Sequence, residues 1–222
     1  MKQIGKSGGR RKRKMIEKKY ELTDEIRYVC GTTIHRIRSL RDFAGVKIGD
    51  IGGWIESERN LSQEGDCWIY NEACAVNKSY VSGNASVSNN SVITDNATVC
   101  ENARIVGMSL IIDNSCVSGN ALVYDGVILN SSHISGNSAI IDFSLIKIKN
   151  TSDVLTIGPI GSEDDYITFI KDENNNILVN NGLYSGTIDE FQDAIERNHG
   201  NDKYNDEYMF SIKMAKSRLR EK

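Results

Sequence analysis

The 222-residue chain carries 27 Lys/Arg against 30 Asp/Glu, a formal charge of −3, and is 39% hydrophobic with 19 Gly and a single Pro. No apolar run approaches the roughly 18 residues of a membrane helix and no apolar segment of a signal peptide follows the start, so the sequence predicts a protein with no membrane partner. The five cysteines are odd in number and lack CxxC spacing, which argues against a disulfide framework or zinc knuckle and for a reducing, cytoplasmic setting.

Charge is unevenly placed. Residues 1–19 hold nine Lys/Arg and one Glu, leaving an acidic remainder. This stretch lacks apolar periodicity and reads as a flexible basic tail. Its cluster Arg10, Arg11, Lys12, Arg13 and Lys14 could neutralise phosphates, giving a nucleic-acid reading; a plain solubilising tail is the alternative. Residues 20–64 read as an N-terminal cap. Arg27–Cys30 and Thr33–Ile37 flank Gly31 as a β-hairpin, and Trp54 and Ile55 are bulky enough to plug the end of whatever follows. The glycines of Gly49-Asp50-Ile51-Gly52-Gly53 are not a phosphate loop, because no Lys-Ser/Thr follows them.

From Gly65 to Lys147 the sequence restates six residues, as in GNASVS from Gly83, NNSVIT, DNATVC and ENARIV. Fourteen units follow one another, with DGVIL at residues 125–129 one residue short. Position three is small (Ala85, Ser91, Ala97, Ala103) and position five aliphatic (Val87, Ile93, Val99, Ile105), so both face inward. Alternation within a unit means extended chain, and Gly, Asn or Asp opening each unit means a corner every six residues. Such units bury nothing alone and must stack as coils of a solenoid.

Positions four and six point outward and form three walls. The first mixes polar and apolar residues. The second, with Val76, Val92, Leu110, Ile112, Ile128 and Leu145, is nearly all apolar and predicts an interface, covered either by a second copy in a dimer or trimer or by the C-terminal helices. The third, with Tyr80, Thr98, Cys100, Cys116, Ser118 and His133, is polar.

Residues 148–222 change character and predict a small α/β module. Strands are expected at Ile167–Lys171 and Ile177–Val179 around the turn Asp172–Asn176. A capping box at Thr187-Ile188-Asp189-Glu190 opens a helix that Gly200 stops, and a last helix starts near Tyr204. In the turn Gly158–Ser162, backbone amides of Gly158, Gly161 and Ser162 could present to an anionic ligand. No cofactor and no metal centre is read from the residues, since the three histidines, His35, His133 and His199, lie far apart in sequence.

The hexads resemble those of the left-handed parallel β-helix of hexapeptide-repeat proteins, the trimeric LpxA-like superfamily. That resemblance implies a mainly β fold with three hexads per triangular coil, and the left hand comes from it alone. The stretches HRIRSLRDF, VKIGDIGGWIE and NLSQEGDCW, with LTIGPIGS, GTIDEF and YMFSIKMAK downstream, are similar to phage and prophage members of this class. Relatives carry a Cys-Gly-Cys-like segment where this chain has Asn180-Asn181-Gly182, so thiol chemistry does not carry over. The resemblance favours a non-catalytic scaffold that captures a host protein or a small nucleotide ligand. Its alternative is an acyltransferase, the commonest activity of the class, with His133 as general base.

Overall fold

The computed structural model describes residues 17–29, 31–128, 130–141, 147–181, 184–200 and 202–219. Arg10 to Lys14 and Leu145 lie outside them. The chain is mainly β: a β-solenoid of about five turns, closed at both ends, followed by a four-stranded antiparallel sheet and two helices, α1 (Ile188–His199) and α2 (Lys203–Leu219).

The coils contribute short strands to three sheets whose solenoid strands run parallel, and the inward aliphatic residue of one coil stacks on that of the next. One ladder runs Ile55, Ala75, Ile93, Ile111, Ile128, Ile148 and another Ile69, Val87, Ile105, Val123, Ile140, all fully buried. The corners fall at position one, where Asn71, Asn77, Asn89, Asp95, Asp113 and Asp125 hold φ between 55° and 64°. Asn and Asp tolerate this left-handed conformation better than other side-chain-bearing residues. One corner demands glycine, because a Cβ on Gly65 would sit 2.3 Å from the Gly83 carbonyl oxygen of the coil stacked on it. Beside that corner the amides of Asn84, Asn102, Asn120 and Asn137 hydrogen-bond in series at 2.9–3.0 Å.

The short unit at residues 125–129 shifts the phase. Val127 pairs with Leu110 and Ile128 with Ile111, so Ile128 points into the core instead of onto the apolar wall. Lys147 then pairs with Val127 and Ile148 with Ile128, so Ile148 continues the inward ladder.

The apolar wall has a cover that neither expectation named. Strands β1 (Tyr20–Val29) and β2 (Thr32–Ser39) form the predicted hairpin, extended at its open end, and join β3 (Ile51–Ile55) in the same sheet as that wall. Ile34 and Val29 pack on Trp54, Cys74, Val76 and Val92, burying the first coils of the wall; Leu110 and Ile112 stay half-exposed. The hairpin is clamped there by Glu72, which accepts from Arg27 Nη1 (2.5 Å), Arg36 Nη2 (2.8 Å) and Trp54 Nε1 (3.2 Å). Both guanidinium groups stack on the Trp54 ring, 4.2 and 4.3 Å from its centroid. Helices α1 and α2 pack on the C-terminal sheet and not on this wall.

The N-terminal end is plugged by Trp68 with Tyr20 and Phe43 edge-on against it. Lys19, counted above with the basic tail, belongs to this plug: it is fully buried and its ammonium donates to the Cys67 (2.8 Å) and Gly65 (3.3 Å) carbonyls. Burial lowers its pKa. At the other end the sheet of Val154–Ile160, Asp165–Lys171, Ile177–Asn180 and Ser185–Thr187 closes the last coil. Ile170 joins the solenoid core and Thr168 Oγ1 accepts from the Ala139 amide at 3.0 Å, while Ile167, Phe169 and Val179 pack under the helices. Helix α1 starts at the anticipated capping box, with Thr187 and Glu190 bonded reciprocally.

Candidate functional site

The polar wall is built from strands Tyr80–Val81, Thr98–Val99, Cys116–Val117 and His133–Ile134, paired in register. Position four therefore sets Tyr80, Thr98, Cys116 and His133 in one outward row, and position six sets Ser82, Cys100, Ser118 and Ser135 in a second. His133 is exposed on the last of these coils. Its backbone N–H donates to Thr151 Oγ1 at 2.9 Å, and its ring Nε2 lies 3.2 Å from Ser118 Oγ. With the proton on Nδ1, Nε2 accepts from the serine hydroxyl, and a hydroxyl or amine in the same place would meet a base.

The Cys100 thiol on the same wall is a poor nucleophile by comparison. Burial, the neighbouring Cys116 thiol and Glu101 push Cys100 up to about 11, so it stays protonated near neutral pH. The Ser118–His133 contact is diagonal across two coils, fifteen residues apart, and the sequence named both residues on one wall without pairing them. The coil between them is seventeen residues because of the short unit, so a uniform six-residue count misplaces their relation.

The other histidines stand elsewhere. His35 is half-buried on β2, opposite Ile26 on one side and Ile55 on the other. His199 ends α1, with Nδ1 3.3 Å from Asp202 and its ring against Tyr208 at 5.1 Å. Among the described residues no group of three His, Cys, Asp or Glu side chains could hold a metal ion.

The turn expected to bind an anion does meet one, supplied by this chain. Gly161 (φ 80°) donates its amide to Glu207 Oε2 at 2.8 Å, and the Tyr208 hydroxyl fills the space over its Cα. Gly158, expected in the turn, lies instead in the strand Val154–Ile160, and Ser162 is exposed beside Gly161. Two grooves went unread in the sequence. One, of about 640 Å³, follows a solenoid corner lined by Glu56, Arg59, Asn77, Lys78, Asp95 and Asp113. The other, of about 750 Å³, lies between the helices and is lined by Gln192, Met209, Phe210, Ile212, Lys213 and Lys216. No helix of the described residues is long and apolar enough to cross a membrane.

No family model matches the chain. Among curated proteins it is similar to a protein of Escherichia coli (strain K12) described as the uncharacterized acetyltransferase YdcK, 38% identical over 79 residues. The match covers 32% of this chain, which spans about a quarter (24%) of that relative's length.

Proposed function

We propose that the polar wall is an acyl-transfer site with His133 as its general base. The observation that carries this reading is the 3.2 Å contact between Nε2 of the exposed His133 and the hydroxyl of Ser118, which is itself largely buried beside it. The similarity to a protein described as an acetyltransferase supports it. In this reading the acceptor's hydroxyl or amine takes the place that Ser118 marks and attacks the carbonyl carbon of an acyl thioester. The C–S bond breaks, the acceptor's proton passes to His133 Nε2, and the imidazolium returns it to the departing thiolate. The scaffold is taken with it as a left-handed hexapeptide-repeat β-helix, the hand being what the resemblance to that class implies.

The competing reading, a non-catalytic protein that captures another protein or a small nucleotide, draws on the hairpin, where Ile26 and Tyr28 are 59% and 75% exposed on its outer face. One experiment separates the two. The purified full chain is incubated with acetyl-coenzyme A and a panel of amine and hydroxyl acceptors, and free coenzyme A is quantified by chromatography. Acceptor-dependent release that falls at least ~100-fold in His133→Ala supports transfer, the range expected for loss of a general base. Release that is absent, or unchanged in the variant, leaves the capture reading.

A further inference from the structure

The last helix carries a face that its own fold does not use. Tyr208, Ile212, Ala215 and Leu219 of α2 are buried against the C-terminal sheet and α1. On the far side, four residues at four-residue spacing, Asp206, Phe210, Met214 and Arg218, are all exposed, Phe210 at 63% and Met214 at 38%. Residues four apart are neighbours on a helix surface, so these four form one continuous stripe about 18 Å long at 1.5 Å per residue. A Phe–Met pair at the centre of an exposed helix face is the composition of an interface core rather than of a solvated one.

The order of the stripe selects the occupant. It reads acid, aromatic, thioether, base, and its two ends have opposite charge. A second α2 laid antiparallel on the first, about a two-fold axis at Ile212, sets each Asp206 against the other chain's Arg218. The same operation sets each Phe210 against the other Met214. A parallel arrangement would oppose like charges at both ends. We infer that this stripe is a self-complementary surface through which two copies of the chain pair, α2 against α2, with Phe210 and Met214 as the apolar centre and Asp206–Arg218 as the flanking pairs. The contact is isologous and closes after two copies. Because one helix face is small against a standard interface, the dimer forms with a dissociation constant on the order of micromolar and is concentration-dependent. It leaves the polar wall free and does not depend on any activity there.

Sedimentation velocity of the full chain across a wide concentration range tests it. The wild type moves from monomer to dimer. Phe210→Glu, an exposed position where folding is unaffected, raises the dissociation constant at least ~30-fold, the size of a hot-spot loss. Asp206→Arg or Arg218→Asp alone weakens dimerisation, and the two together restore it with the charges exchanged, which a purely structural role for either residue would not produce. A chain that stays monomeric throughout overturns the inference. So does a dimer indifferent to Phe210→Glu, a higher oligomer formed elsewhere on the molecule, or a double exchange that fails to rescue.

Discussion

At the scale of single residues, the clearest device is Glu72. Arg36, with the Trp54 indole and Arg27 adding to it, holds its carboxyl below the usual 4.5. A depressed carboxylate contributes stability that is fully present above its unfolded value and is lost as pH falls through the lower folded value. The hairpin clamp is therefore intact at neutral pH and loosens on acidification below about 4.5. The indole N–H resonance of Trp54, followed by NMR through that range, moves toward its position in Glu72→Gln; a resonance indifferent to both changes would exclude the clamp. None of this was readable beforehand, since Arg27, Arg36, Trp54 and Glu72 are scattered over 45 residues and meet only because the hairpin folds back on the wall. Gly161 is the second case. Its φ of 80° and the Tyr208 hydroxyl 1.9 Å from where a Cβ would stand leave no room for a side chain. Gly161→Ala costs ~1–3 kcal/mol in chemical denaturation, from backbone strain and displacement of the tyrosine. The sequence marked this glycine correctly as a special turn, but read its amide as open to a ligand when Glu207, 46 residues on, occupies it.

At the scale of elements, the hexad was legible because one physical requirement repeats: inward residues must stack on their copies, and corners must accept positive φ. Two neighbours in one coil show the contrast. Ile111 is fully buried in the ladder, whereas Ile112 is half-exposed on the wall beyond the hairpin's reach. Ile111→Ala costs ~2–5 kcal/mol, the range for a large-to-small change in a close-packed core, and Ile112→Ala well under half of that. Equal losses at the two positions would contradict the alternation. Legibility ended where the period broke. A unit of five residues still has to place an aliphatic residue inward, so the chain puts Ile128 there and turns Val127 outward. Counting in sixes gave the reverse. The hairpin's position was also hidden, because its own sequence fixes the turn at Gly31 but says nothing about which wall Ile34 and Val29 will cover.

For the whole molecule, every exposed end of the solenoid is a hazard, since a bare coil offers unpaired strand edges and an open core. The chain answers with Lys19, Tyr20, Phe43 and Trp68 at one end and an entire sheet at the other. At the N-terminal end the sequence named the wrong aromatic: Trp54 packs under the hairpin and Trp68 takes the plug, while the role of the C-terminal module as the second cap depends on Thr168 and Ile170 alternating with Ile167 and Phe169, so that one sheet serves two cores. With both ends closed and the apolar wall partly covered, the polar wall stays open beside the mixed one, with His133 exposed on it and the Ser118 hydroxyl against its ring. The three histidines, one each in cap, wall and module, make that surface separately observable. Titration of acetyl-coenzyme A into the full chain, with the imidazole carbon-bound protons followed by NMR, tests the proposed acyl-transfer site most directly. Saturable shifts confined to His133, and weakened by Ser118→Ala, are the expected result. Shifts at His199 or His35 with His133 unmoved, or no shift at any of the three, would contradict it.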